Sequence, residues 1–219
     1  AVPAVNAIHI PEAISFEQAA ALPTVYLPTW AIVMREGRLN STETAVVLSS
    51  SSGVGTAAIQ IIKGVVGATC IAVTSSEEKI EKSLALGADY AINYKTEDLA
   101  DRIKEITEGR GVNLVVDSTG AAFFEAAYSS LARGGRYGIC GVTAGYQSQL
   151  HLGQLFSKEL KIFGTFMGSN DELSHIVHAA GQGQIATAIH KTIALPDTSL
   201  AHEEMERSEH FGKFIITVS

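Results

Sequence analysis

Only two of the 219 residues are cysteine, Cys70 and Cys140. A pair so far apart in sequence builds neither a disulfide framework nor a cysteine-rich zinc cluster, and it fits a reducing, cytoplasmic setting. Basic residues are also scarce. Sixteen Lys plus Arg stand against 23 Asp plus Glu, a formal net charge of −7. An acidic chain without a basic cluster is ill suited to nucleic acid or to an anionic membrane surface. No apolar run approaches the ~18 residues that suggest a membrane-spanning helix. The opening stretch AVPAVNAIHIPEAIS lacks the basic start and apolar core of a secretory signal. Internal repeats and low-complexity tracts are absent, apart from four serines at 49–52.

What is present is apolar and rhythmic. The chain is 46% hydrophobic and 18% charged, with mean hydropathy +0.19. That excludes a disordered or collagen-like chain. A domain of this size buries roughly 70% of its unfolded surface. From Thr44 onward, short apolar runs alternate with helical spacings. TAVVLS, TCIAVT, YAIN, VNLVVD, RYGICG and LKIFGTF read as six strands. Between them, Val54, Ala58, Ile61, Ile62 and Val65, then Ile80 and Leu84, then Leu99, Ile103 and Ile106, follow helical periodicity. Near-continuous apolar strands alternating with helices predict an α/β fold, a doubly wound parallel sheet covered on both faces. Residues 1–40, with a strand-like start and two helical stretches, lie outside this rhythm. So do residues 189–219, a strand, a helix and a final strand in GKFIITVS. The flanks read as parts of a second unit, leaving 41–188 as the dinucleotide-type domain.

The most informative segment is TAVVLSSSSGVGTAAIQIIK, a buried strand entering small residues and leaving as a helix. Small residues let a pyrophosphate approach the backbone, and a helix N-terminus offers it free N–H groups and partial positive charge. The G-x-G-x-x-G frame falls on Ser50, Ser52 and Gly55, so two of the three glycines are serine. The bland alternative is a tight turn with no ligand.

SSGVGTAAIQIIK, SSEEKIEKSLALGADYAINYKTED, GRGVNLVVDSTG, LARGGRYGICG and MERSEHFGKFIITVS stand in the order found in medium-chain dehydrogenases/reductases. The chain resembles most the zinc-free quinone reductase and enoyl reductase branch, including the enoyl reductase domains of polyketide synthases. The resemblance implies a Rossmann domain flanked at both ends by pieces of a GroES-like domain. Most of that domain, with its usual active-site residues, is then expected outside this sequence, in a fragment or in the cofactor domain of a larger multienzyme.

The resemblance also implies site residues. Ser52, Gly53 and Val54 correspond to the pyrophosphate cradle. Asp117, Ser118 and Gly120 correspond to crevice lining, Gly141 and Val142 to the end of the fifth strand, and Phe166, Met167 and Gly168 to the segment along the nicotinamide. Gly141 and Gly168 as plain turn residues, and Asp117 as a helix cap, are the alternatives. An NAD site usually places an acid about 20 residues past the glycine-rich turn. Here Thr74 stands 21 residues after Gly53, followed by Ser75. Lys79 resembles the lysine of NADP-dependent relatives, and Tyr94 a second contact near the adenosine phosphate. NADP(H) is therefore the expected cofactor, with Ser75 and Glu78 as a mere capping box the alternative.

Where the family usually has a cofactor-contacting threonine this chain has Pro28, and Thr29 is the candidate replacement. The zinc-ligand register of the metal-dependent relatives falls on Thr24, a poor zinc ligand. His175 and His178, three apart on a predicted helix, have no third ligand near them in sequence, so no metal is expected. Cys70 and Cys140 read as core residues, and Tyr26 and Trp30 as packing residues. The expected function is NADPH-dependent reduction of a small molecule, a quinone or a conjugated C=C, by a homodimer paired at LKIFGTF. A zinc-branch alcohol dehydrogenase and a dinucleotide-binding module without turnover are the rivals.

Overall fold

The computed structural model describes residues 2–218. A 3-10 turn over Ala4–Asn6 precedes α1 (Phe16–Ala21) and α2 (Pro23–Trp30). The strand-like start does not form: among the described residues no strand precedes Thr44. Val2 and Val5 remain exposed there, with no neighbouring strand to bury them. α1 is set by a capping box in which Ser15 and Gln18 bond each other's backbone N–H. Pro28 sits inside α2 and offers no N–H to the helix, and a π-helical turn over Ala31–Glu36 follows.

The six expected strands all form. They are β1 (Thr44–Val47), β2 (Thr69–Thr74), β3 (Tyr90–Asn93), β4 (Val112–Asp117), β5 (Leu131–Ile139) and β6 (Lys161–Gly164). They alternate with α3 (Gly53–Gln60), α4 (Glu77–Ala85), α5 (Leu99–Ile106), α6 (Ala121–Ser129) and α7 (Leu152–Ser157). β5 starts five residues earlier than the RYGICG motif. Its register with β4 shifts between Val112 and Leu114 to absorb the extra length.

All five pairings are parallel, in the order β3-β2-β1-β4-β5-β6. This is the Rossmann order, with its topological switch between β1 and β4. Successive residues of β1 feed opposite faces: Ala45 and Val47 join one buried cluster with Ile61, Ile62 and Ile32, while Val46 joins another with Ile71, Ile103 and Tyr137. The two-sided burial explains why the strands carry no polar alternation.

Helix α8 (Asn170–Gly181) packs on α2. Beyond it, β7 (Ile189–Ala194), α9 (Thr198–Glu206) and β8 (Lys213–Thr217) form a separate parallel two-stranded sheet with its connecting helix. α1 packs against this small sheet. Gly212 N–H donates to Ser51 O at 2.9 Å, so the start of β8 is tied to the turn after β1.

Candidate functional site

The turn between β1 and α3 is built by its serines. Ser49 takes a positive φ of 54°, a conformation glycine adopts more cheaply. Ser50 is fully buried, its hydroxyl 3.0 Å from Ser83 Oγ and its N–H donating to Val73 O. Ser52 is the N-cap of α3, its side chain accepting from Gly55 N at 3.0 Å. Ser50 therefore ties the turn to α4 and β2, while Ser52 bonds within the turn. Gly55 keeps its glycine for space: a Cβ there would lie 2.2 Å from Ser49 O. The N–H groups of Gly53 and Val54, in the first turn of α3, have no helical acceptor and are available to an anion.

Above this turn, at the C-terminal ends of β1, β2 and β4, opens a cleft of about 510 Å³. Eight expected residues line it: Ser52, Gly53, Val54, Thr74, Ser75, Lys79, Tyr94 and Ser118. Thr74 Oγ1 is buried there without a hydrogen-bond partner. Tyr94 packs edge-on against Phe123, centroids 4.9 Å apart. Lys79 Nζ donates to Ser208 O at 2.6 Å. Burial first, then Lys95, hold the Lys79 ammonium below its ordinary pKa. The cap of α4 is Ser76, which accepts from Lys79 N, and not Ser75. Glu77 Oε1 accepts from Asn93 Nδ2 at 2.9 Å and Glu78 pairs with Lys82 at 2.5 Å, so neither acid lines this cleft.

The other expected residues lie outside its lining. Asp117 is fully buried. It accepts from Thr119 N and Oγ1, both at 2.6 Å, from Gly120 N at 3.0 Å and from the Tyr137 hydroxyl at 2.9 Å. It therefore shapes the turn after β4 from beneath. Gly120, φ 80°, takes the left-handed region that turn requires. Gly141 packs against Ser118, where a Cβ would meet its carbonyl oxygen at 2.8 Å, and Val142 packs over Gly120. Phe166 is 94% exposed just past β6, followed by Met167 at φ 51° and by Gly168.

Sequence reasoning missed the far wall. Met205, Ser208, His210, Gly212, Lys213 and Phe214, all from the C-terminal return, line the same cleft. Lys213 packs over Gly53, where a Cβ would meet its Cδ at 2.9 Å. The segment MERSEHFGKF carried the family resemblance but had no local pattern that points across the fold. Thr29 does not stand in for the missing threonine: it is fully buried and its hydroxyl donates to Val25 O at 2.6 Å.

The donor set fits a phosphorylated dinucleotide, with free helix-terminal N–H groups, an orphaned threonine hydroxyl and two ammonium groups, Lys79 and Lys213, in one cleft. It does not fit a metal. Among the described residues no three His, Cys, Asp or Glu side chains converge. His175 stacks on Trp30 with ring centroids 6.4 Å apart. Burial pushes both thiols up, Cys140 to about 12.

Residues 53–181 match the family model for zinc-binding dehydrogenases. The chain is 31% identical over 200 residues to an NAD-dependent alcohol dehydrogenase of Saccharolobus solfataricus, covering 91% of this chain and 57% of that one. A crystal structure of an NAD-dependent alcohol dehydrogenase superposes with a TM-score of 0.91 at 34% identity, over 97% of this chain and 62% of that one. The Escherichia coli quinone oxidoreductase complexed with NADPH superposes with a TM-score of 0.86 at 29% identity, over 96% of this chain and 68% of that one. The chain thus spans little more than half the length of the curated alcohol dehydrogenase it matches. With its Rossmann strand order and the cleft at the switch point, the protein belongs to the zinc-binding dehydrogenase family of the medium-chain dehydrogenase/reductase superfamily, whose cofactor-binding domain it carries.

Proposed function

We propose that the protein is the cofactor-binding part of an NADPH-dependent reductase of the quinone reductase or enoyl-thioester reductase type. The observation that carries the reading is that Lys79 and the unpartnered hydroxyl of Thr74 line the same cleft and, among the described residues, no acid does. The N–H groups of Gly53 and Val54 bind the pyrophosphate at the positive end of α3. Thr74 Oγ1 donates to the adenosine ribose, Lys79 holds its 2′-phosphate, and Tyr94 covers the adenosine. Asp117 fixes the turn carrying Ser118, which borders the cofactor. Phe166, Met167 and Gly168 flank the nicotinamide and exclude water from it. When bound, the reduced nicotinamide supplies a hydride to a quinone or a conjugated C=C.

Equilibrium binding of NADPH and NADH tests the reading. A preference for NADPH of at least about tenfold is expected from a charge-assisted contact to the extra phosphate. Equal affinity, or tighter NADH, overturns it. The likeness to NAD-dependent alcohol dehydrogenases favours a second reading, alcohol oxidation with NAD. Tighter NADH binding would support that one.

The reading includes assembly. β6 ends the sheet with an open edge, and Phe156 and Phe166 are exposed beside it. A second copy adding its own β6 would cover that edge and continue the sheet.

A further inference from the structure

His210 Nδ1 is the second polar atom in the cleft that is buried without a partner. The residue lies on the turn between α9 and β8. It also borders a recess of about 230 Å³ behind the cleft, shared with Ser75, Lys79, Lys82 and Lys95. His210 thus stands where cleft and recess meet, at the end of β2.

The charges around the imidazole are lopsided. α4 contributes Glu78, Lys79 and Lys82, the end of β3 Lys95, β7 His190, α9 Glu204, the turn itself Glu209, and β8 Lys213. The acids are spent. Glu78 pairs with Lys82 at 2.5 Å, Glu204 with Lys191 at 2.6 Å and His190 at 3.2 Å, and Glu209 with Arg207 at 2.8 Å. The lysine ion pairs among the described residues are Lys63–Asp89, Lys82–Glu78 and Lys191–Glu204, which leaves Lys79, Lys95 and Lys213 without an acid. Burial first, then Lys79, His190 and Lys213, push the His210 pKa below its ordinary value against the opposing pull of the Glu204 backbone. Burial and these cations disfavour the imidazolium, in a site where three ammonium groups have no acid partner. A dianion entering among these ammonium groups offsets two of their three charges and favours the imidazolium.

We propose that His210 is a further specificity-determining residue for a phosphate at the adenosine end of the dinucleotide, taking up a proton from solvent as that phosphate enters. The inference rests on the functional reading above and deepens it: discrimination is shared between Lys79 of the Rossmann domain and the C-terminal return. The sign follows from linkage. The bound state holds one more proton than the free state, so affinity for the phosphorylated ligand falls as pH rises, by at most about tenfold per pH unit for a single proton.

The test measures NADPH, 2′,5′-ADP and 5′-AMP binding between pH 6 and pH 8 for the wild type and His210→Gln. The ionisation of the phosphates themselves, near pH 6, is common to both proteins and cancels in the comparison. Between those limits the wild-type affinity for 2′,5′-ADP and NADPH is expected to fall at least about threefold more than that of the variant. The slope for 5′-AMP should be the same in both. Calorimetry on the wild type alone, in two buffers of different ionisation enthalpy at pH 7.5, guards against a misfolded variant. It should show net proton uptake with 2′,5′-ADP and none with 5′-AMP. Equal slopes, or no uptake, overturn the inference and leave the functional reading standing. No binding of either NADPH or 2′,5′-ADP overturns both.

Discussion

Lys79 and Ser208 are 129 positions apart in sequence, yet the ammonium of one donates to the carbonyl oxygen of the other at 2.6 Å. The bond fastens the C-terminal return to the first turn of α4 at the mouth of the cleft. It also leaves the ammonium on a neutral carbonyl, with no carboxylate paired to it among the described residues.

Replacing Lys79 with alanine should weaken NADPH binding roughly 10- to 150-fold, the equivalent of about 1.5–3 kcal/mol, and barely change NADH. Paired titrations of the two nucleotides measure it. Equal losses for both would show that Lys79 does not read the 2′-phosphate.

The two glycines that open α3 should respond differently to alanine. At Gly55 a Cβ would meet backbone, Ser49 O at 2.2 Å and Ser50 Cα at 2.5 Å. The turn cannot yield, and urea unfolding should register a loss of about 3 kcal/mol or more. At Gly53 the obstacles are side chains, Lys213 Cδ and Val25 Cγ1, both at 2.9 Å. Gly53→Ala should lose about 1 kcal/mol of stability as those side chains shift. Similar losses at both positions would contradict this account of the turn.

Asp117 and Tyr137 offer a graded pair. Tyr137→Phe removes one of four hydrogen bonds to the buried carboxylate and should cost about 1.5–3 kcal/mol. Asp117→Ala strands the buried N–H groups of Thr119 and Gly120 as well, and should cost more than Tyr137→Phe in the same denaturant titration. A smaller loss for Asp117→Ala would mean that the turn holds without its acceptor.

Arg136 and Glu43 form a bidentate pair at the opposite end of the sheet, and Arg136 Nε also donates to Gly37 O at 2.8 Å. Hydrogen bonds from Arg136 hold the Glu43 carboxyl below its usual range. A depressed folded pKa contributes stability above the unfolded carboxylate value of about 4.3, and that stability is lost as pH falls through the folded value. Glu43→Gln should therefore cost about 1 kcal/mol at pH 7 and show a shallower loss of stability on acidification than the wild type. Parallel acid-unfolding curves would refute it.

Sedimentation at tens of micromolar tests the open edge of β6. A dimer is expected, and Ile162→Lys, which puts a charge on the last strand of the sheet, should shift it toward monomer. A wild-type monomer would overturn pairing through this edge.

Much of the fold was legible in the sequence. Six apolar runs gave six strands, because residues buried on both faces must all be apolar and the pattern is local. The capped turn at Ser52–Val54 was legible for the same reason, since a cap and a small-residue turn are set by near neighbours. Ser50 and Ser52, read as departures from a glycine frame, became intelligible only once Ser83 and Gly55 N were seen to bond them. The strand expected near the N-terminus failed because a short apolar stretch specifies a strand only where another strand accepts its hydrogen bonds.

The sequence by itself determined the alternating sheet, the strand–turn–helix with its capping serine, and the lysine in place of an acid after β2. Only the tertiary structure decided that Asp117 turns inward to Tyr137, and that Ser208, His210 and Lys213 come from the far end of the chain to wall the cleft. Periodicity records which residues are buried. It does not record what buries them, because contacts between residues more than a hundred positions apart arise from how finished elements pack.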